Sequence, residues 1–410
     1  MKRIAVVGSG IAGMTAAYYL SRQHQVSLFE AGTRLGGHTH TVDVAVDGEK
    51  SAIDTGFIVF NDRTYPNFQR LLAELGVAYQ PTEMSFSVRN DGANLEYNGH
   101  SLRTLFAQKR NLLRPAFWRL IRDILRFNKA AKLEAAKSGS QTLGDFLAEG
   151  QFGPLFIDNY LLPMGAAIWS MGLDEMRDFP LSFFARFFEN HGLLDVANRP
   201  QWFTIEGGSR QYIAPLTAPF KDNIHLATPI NRIERLGGQV RLISDGKDWL
   251  FDEVVLACHA DQALAMLAAP SAAENQVLGA MGFNDNDVVL HLDTGHLPKR
   301  QAAWASWNYR MGRSRQKAVL TYQMNILQCL DKRHQYLVTL NDEVDEAKVL
   351  GRYRYSHPVY TLAAIEAQQQ WRDISGIDGV HYCGAYWFNG FHEDGVNSAL
   401  RVCSALGVSP

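Results

Sequence analysis

The chain has 410 residues, 46% of them hydrophobic and 20% charged, with a net charge of -2 at neutral pH. A single core stops growing near ~250–300 residues, so two domains are expected, and the balanced charge gives no general pull toward nucleic acid. Four cysteines, Cys258, Cys329, Cys383 and Cys403, stand far apart with no C-x-x-C, which argues against a metal or dithiol redox site and fits a reducing compartment.

The first predicted element is a β-run, Ile4 to Val7, which starts too close to Met1 to leave room for a signal peptide, so a cytoplasmic location is expected. Gly8, Gly10 and Gly13 follow in the spacing G-x-G-x-x-G, then a helical stretch to Leu20 and a second apolar run, Val26 to Phe29, ending on Glu30. A lone glycine motif is weak, but this one sits in a βαβ unit. Gly8 permits the tight turn, Gly10 lets backbone approach a pyrophosphate, and Gly13 lets helix and strand pack closely, with the N-terminal turn at Ile11 and Ala12 meeting the phosphates. Glu30, before Ala31, would accept hydrogen bonds from the adenosine ribose hydroxyls and disfavours a 2′-phosphate. Arg34-Leu35-Gly36-Gly37-His38-Thr39 is what a plain nicotinamide dehydrogenase lacks: a cation and two small residues where a longer dinucleotide continues past the pyrophosphate. Together the two clusters name FAD as the expected cofactor.

Further cofactor-type segments are scattered: Glu206 to Tyr212, Thr228 to Ile233, Val254 to Ala257, and Tyr382-Cys383-Gly384 through Gly395-Val396-Asn397. Between them lie two insertions. The first, roughly 62 to 200, reads as largely helical; the second, roughly 264 to 375, carries strand-like runs such as Val288 to Leu292 and Val319 to Tyr322. The expected fold class is α/β, a Rossmann-type FAD-binding domain of the GR2 type built from 1–61, 201–263 and 376–410, with an inserted α+β substrate domain from 62–200 and 264–375.

The first insertion holds a charge asymmetry. Between Leu102 and Lys137 ten basic residues face two acids, Asp123 and Glu134, a surplus of +8 that leaves the rest of the chain at -10. Phe117, Leu120, Ile121, Ile124 and Leu125 recur at helical spacing, while Arg119, Arg122, Arg126 and Lys129 follow another face. Residues 102–137 are therefore expected to make a basic amphipathic helix, either lying on an anionic membrane surface or presenting a solvated basic face from the substrate domain. The uncharged run Asn159 to Leu173 holds Pro163 and is too short to cross a bilayer.

From end to end the sequence resembles the amine oxidase and phytoene desaturase superfamily of flavoproteins. Within it, Asp54 to Asn61 with Thr64-Tyr65-Pro66, Trp304 to Tyr309, Thr321 to Asn325, His357-Pro358-Val359-Tyr360 and Gly390 to Gly395 are similar to the branch found beside cyclopropane-fatty-acyl synthases. The resemblance implies a lipid-modifying oxidoreductase with an apolar, lipid-like substrate and a cyclopropane-synthase-like methyltransferase as partner. It also implies that Gly36, Gly37, His38 and Thr39 lie near the pyrophosphate and ribityl chain, and that Thr55-Gly56-Phe57 lies near the isoalloxazine. Ile230 would hold adenine through its backbone. Gly384, Glu393 and Asp394 would join the cofactor site, where Gly395 and Val396 would start a helix facing the flavin O2 edge.

Three departures from that pattern bear on the chemistry. Where amine oxidases carry a lysine that holds a water at flavin N5, this sequence has Asn286 and Asp287. Phe391 matches one of two flanking aromatic rings, and the second has no evident counterpart. Ala385 and Tyr386 stand where an acid is expected. Hydride removal from a fatty-acyl chain is thus the leading expectation. The competitors are amine oxidation and a non-redox role, as an isomerase or a methyltransferase partner. His392, beside Glu393 at the expected flavin edge, is the candidate proton acceptor, against a reading in which it supplies only backbone and packing. His357 has similar standing. One or two of Trp307, Tyr309, Tyr322 and Trp387 are expected to wall a substrate tunnel. No motif for a separate nicotinamide cofactor is present.

Overall fold

The computed structural model describes residues 1–135, 137, 139–169, 171–195, 199–311, 319–331 and 333–409. Its organising element is a parallel sheet of five strands in the spatial order Ile224–His225, Gln25–Phe29, Arg3–Val7, Glu253–Leu256 and Val380–Tyr382. Parallel strands are covered on both faces, which explains their unbroken apolar runs: Ile4, Ala5, Val6, Val254, Val255 and Leu256 are fully buried. The helices Ile11–Leu20 and His392–Ala405 pack against each other beside this sheet. An antiparallel meander, Arg232–Arg235, Val240–Ser244 and Lys247–Phe251, sends Val240, Leu242 and Phe251 into the same core. The fold is α/β, as its Rossmann-type opening unit requires.

A second sheet has seven strands, in the order Val349–Pro358, Phe283–His291, Leu337–Leu340, Leu320–Gln323, Trp307–Arg310, Phe86–Asn90 and Leu95–Asn98. All its neighbours are antiparallel except Trp307–Arg310 against Phe86–Asn90. The last two strands belong to the insertion expected to be largely helical. Phe86–Asn90 pairs with a strand about 220 residues further on, so no local periodicity announces it. A third strand of that insertion, Tyr79–Thr82, pairs with Trp202–Ile205, and the insertion's main helices, Pro115–Glu134, Leu143–Glu149, Leu162–Trp169 and Leu181–Asn190, enclose a core of stacked aromatics. Phe184 and Phe188 lie with ring centroids 4.0 Å apart and Trp169 and Phe179 at 4.5 Å; complete burial of such side chains stabilises by about 1.5–3 kcal/mol each.

The basic helix Pro115–Glu134 meets this core through Phe117, Phe127 and Ala131, and Leu120 is buried as well. The inner part of its apolar stripe is committed to the protein interior. Leu125, expected in the stripe, points outward.

Candidate flavin site

The first strand delivers the chain into a turn that only glycine can make. Gly8 has φ +105°, and a Cβ there would sit 2.8 Å from Ala257 O. A Cβ on Gly13 would overlap the Gly8 carbonyl oxygen. Gly10 differs, because its missing side chain faces open space with no atom within 4 Å. It is also the N-cap of Ile11–Leu20, with no side-chain cap and no acid in the first turn. The positive end of that helix, at Ile11, Ala12 and Gly13, is therefore left for an anion. Gly37 closes over this opening: its φ is +58°, and a Cβ would come within 3.1 Å of Gly10 Cα. Gly36 donates its N–H to Ser9 O at 3.0 Å. Arg34 donates to Gly37 O at 2.8 Å and Thr39 O at 3.2 Å, so its guanidinium braces the loop that it was expected to help charge.

At the other end of the cradle Glu30 accepts from Ser9 N–H (3.0 Å), Ser9 Oγ (2.5 Å) and Gly32 N–H (2.7 Å). Ala31 is exposed beside it. The segment leading to the buried Ile230 is tied to this corner by Ala227 N–H to Gly32 O (2.8 Å) and Thr228 N–H to Glu30 O (2.9 Å).

Beyond Gly37 the chain passes through His38 to the Thr55-Gly56-Phe57 turn. Phe57 donates its N–H to His38 O at 2.8 Å, and Gly56 packs on the same carbonyl so closely that a Cβ would overlap it. Thr55 Oγ1 bonds Tyr355 OH at 2.7 Å. Asp54, just before it, is fully buried and accepts from Thr41 Oγ1 (2.6 Å), Ser209 Oγ (2.8 Å) and Ser209 N–H (3.0 Å). Asp54 thereby fastens the 206–212 segment to the site, and burial still pushes its carboxyl up to about 6.

A continuous wall of rings follows. Tyr386 meets Phe283 edge-on at 5.7 Å, Phe283 stacks on His259 at 4.2 Å, and His38 lies 6.5 Å from His259 and 5.3 Å from both His357 and Tyr355. Burial, with the neighbouring imidazoles adding to it, holds His38 well below its ordinary value and takes His357 down to about 4. His357 Nδ1 lies 3.1 Å from the amide nitrogen of Asn286, whose oxygen accepts from Asn341 at 2.8 Å. That relay fixes the amide orientation, makes Nδ1 the acceptor and leaves the imidazole proton on Nε2. Asn286 thus stands buried on the wall, and Asp287 points to solvent. His38 Nε2, Tyr360 OH and Tyr386 OH are buried without a protein partner among the described residues.

The C-terminal helix departs from expectation in four places. It begins at His392, three residues earlier than expected, so Gly395 and Val396 lie inside it; the Gly395 N–H bonds to Phe391 O at 3.0 Å. Gly395 lacks a side chain because Ile11 crosses there, where a Cβ would meet its Cγ2 at 2.7 Å. Glu393 is spent on another helix: its carboxylate accepts from Asn67 N–H at 3.1 Å and Phe68 N–H at 2.8 Å, neutralising the first turn of Pro66–Glu74. Asp394 caps its own helix through Phe391 N–H at 2.9 Å. His392 shares Nε2 with Thr39 Oγ1 and Tyr212 OH, both at 3.1 Å, and stacks on Phe57 at 3.5 Å. Burial takes this imidazole down to about 3, so it is neutral and occupied.

Gly384, at the end of the last parallel strand, donates its N–H to Ser398 Oγ at 3.0 Å and anchors this helix to the sheet. Phe391 stacks on Phe187 at 5.0 Å, at the seam between the cofactor half and the aromatic core. Of the tunnel candidates, Trp387 and Tyr309 are core residues, while the partly buried Trp307 and Tyr322 pack edge-to-face at 5.1 Å where two cores meet. Ser9, Tyr212, His259 and Tyr355 escaped the sequence reading. Only Tyr212 carried a signal, since it ends the 206–212 segment.

The sequence model described as flavin containing amine oxidoreductase matches residues 11–301. The chain belongs to that family. A cradle of facing glycines, an uncapped helix N-terminus and unpartnered polar atoms along a ring wall fit the family's cofactor, FAD. A putative flavin-containing monoamine oxidase of Mycobacterium tuberculosis is 29% identical over 253 residues, 59% of this chain and 53% of that protein. The chain therefore spans about half the length of that relative. Among solved structures, cyclohexylamine oxidase from Brevibacterium oxydans aligns with TM-score 0.72 at 16% identity, covering 99% of this chain and 98% of that one. A CLA-producing fatty acid isomerase from P. acnes aligns with TM-score 0.71 at 16% identity, covering 99% of each chain. At such identities these likenesses show a shared fold.

Proposed function

We propose that the chain is an FAD-dependent oxidoreductase that passes a hydride from an apolar, fatty-acyl substrate to FAD and releases a proton from the neighbouring carbon, leaving a carbon–carbon double bond. The observation that carries the reading is the Asn341–Asn286–His357 relay, centred on the buried Asn286 and placed where amine oxidases have a lysine. It puts a neutral N–H donor on a wall whose other members, His38, His259, Phe283, Tyr355 and Tyr386, are uncharged as well. Such a wall excludes water and holds no charge to meet an ammonium group. It suits a C–H bond flanked by methylenes.

FAD supplies the hydride acceptor. The protein supplies the rest: the helix at Ile11 and the Gly36-Gly37 turn bind the pyrophosphate, and Glu30 holds the ribose. Phe57 and Thr39 order the segment next to the ring through His392, which acts here as a positioning residue. His357 offers its Nε2 proton as a fixed hydrogen-bond donor. Phe391 and the Trp307–Tyr322 pair would guide the chain into place. Support for a lipid also comes from the fatty acid isomerase that shares the fold and from the segments similar to flavoproteins found beside cyclopropane synthases. A methyltransferase of that kind is the partner that would supply the substrate.

Amine oxidation is the second reading, favoured by the likeness to a mycobacterial flavin-containing monoamine oxidase and to cyclohexylamine oxidase. The two separate in one anaerobic experiment. Vesicles of host phospholipid should bleach the oxidised-flavin band, while polyamines and aromatic amines leave it unchanged. Bleaching by an amine alone would replace the lipid reading with the amine one, and bleaching only by dithionite would point to the non-redox role.

A further inference from the structure

Six of the twelve large apolar side chains exposed among the described residues fall within residues 102–133: Leu102, Leu112, Leu113, Trp118, Leu125 and Leu133. This is the same segment that carries the +8 surplus. Because the inner stripe of Pro115–Glu134 is committed to the aromatic core, these side chains are a separate, outward surface. Trp118, Arg122, Leu125, Lys129 and Leu133 recur at spacings of four, three, four and four, which places them in one row along the helix. All five are exposed, Leu125 at 53% and Leu133 at 67%, so apolar and cationic groups alternate along the row. Leu113, 88% exposed, extends it beyond the helix start. Trp118 donates its indole N–H to Leu112 O at 2.9 Å, satisfying the polar edge while the ring stays half exposed.

The acids of the segment do not offset this charge outside. Asp123 is fully buried, bonded to Arg126 at 2.8 Å and to Gly153 N–H at 2.9 Å, and Glu134 is paired with Lys137 at 2.8 Å. Among the described residues no helix is long and apolar enough to cross a membrane.

We infer that this row is a peripheral docking surface for an anionic lipid bilayer, with Leu113, Trp118, Leu125 and Leu133 entering the interface and Arg122 and Lys129 meeting lipid phosphates. Isolated cations would attract an acidic protein equally well. The alternation decides for a membrane, because Leu side chains flanking cations at one level match the boundary between acyl chains and headgroups. Trp at that boundary is favoured for the same reason.

The test uses the FAD-loaded protein and sedimentation with vesicles of phosphatidylcholine alone or with phosphatidylglycerol. The wild type should bind the mixed vesicles at least ten-fold more tightly than the neutral ones. The triple variant Leu113→Ser, Trp118→Ser, Leu125→Ser and the double variant Arg122→Gln, Lys129→Gln should each lose ten-fold or more, with FAD content and melting temperature unchanged. Brominated lipid should quench more tryptophan emission in the wild type than in Trp118→Phe. Equal binding by the wild type and the apolar variant, or absence of wild-type binding to the mixed vesicles, would overturn the inference and leave an acidic protein as the occupant to seek. Sedimentation in air reads binding alone and needs no flavin reduction, so its failure is distinguishable from failure of the proposed chemistry.

Discussion

The cofactor half and the inserted half of this molecule are held together by different kinds of constraint. Around the dinucleotide turn the limits come from backbone: Gly13 on the Gly8 carbonyl and Gly56 on the His38 carbonyl leave no room for a side chain. In the helical insertion the limits come from volume, with Phe127, Phe156, Phe184 and Phe188 filling a core by mutual contact. A backbone constraint dictates residue identity, whereas a volume constraint dictates only size and polarity. The first kind of region advertises its ligand, and the second leaves its substrate to be argued from geometry.

The largest expected effect is in the volume-limited half. Phe184→Ala should cost about 3–5 kcal/mol in urea unfolding, and Phe184→Leu much less. In the backbone-limited half even one methyl should matter: Gly13→Ala should cost about 1–3 kcal/mol or more, read as a lower melting temperature of the FAD-free protein. Gly10→Ala sharpens the contrast, because the space there is open. It should leave FAD-free melting unchanged and weaken FAD binding by ten-fold or more in a fluorescence titration. Equal melting losses for both glycines would break the distinction between a packing glycine and a ligand glycine.

Glu393→Ala should cost about 1–2 kcal/mol by uncapping Pro66–Glu74, and FAD affinity should change by less than about two-fold. A large affinity loss would return Glu393 to the cofactor site. The smallest effect is in the pH profile. An unfolded imidazole takes up a proton below about 6.5, but burial holds His191 and His357 down to about 4 and His392 to about 3. The unfolded chain binds more protons in that window, so stability should fall as pH drops from 6.5 to 4. Asp394 acts in the opposite sense, since burial raises its carboxyl to about 7 and protonation of the folded state offsets part of the loss. Asp394→Asn should therefore steepen the acid limb of a melting-temperature profile.

What the sequence disclosed follows the same division. Gly8, Gly10, Gly13 and Glu30 were legible because they sit at fixed spacing within one thirty-residue βαβ unit, although Gly8 also packs on the distant Ala257. The strands Phe86–Asn90 and Leu95–Asn98 were not, because one pairs with Trp307–Arg310 across the chain. His392 read as a candidate base from its neighbours, but its partners Thr39 and Tyr212 are 353 and 180 residues away. The same distance problem hid Glu393, whose partner Asn67 is 326 residues distant. In the basic helix, periodicity found Phe117 and Leu120 correctly as inward residues and misplaced Leu125, since the stripe on a helix has no sharp edge.

The most direct test of the proposed chemistry is the mass of phospholipid acyl chains after one anaerobic turnover with the flavin-loaded protein. The account predicts loss of two hydrogens from one acyl chain for each flavin bleached. Bleaching by an amine with acyl masses unchanged, or a shifted double bond with neither bleaching nor mass loss, would contradict it.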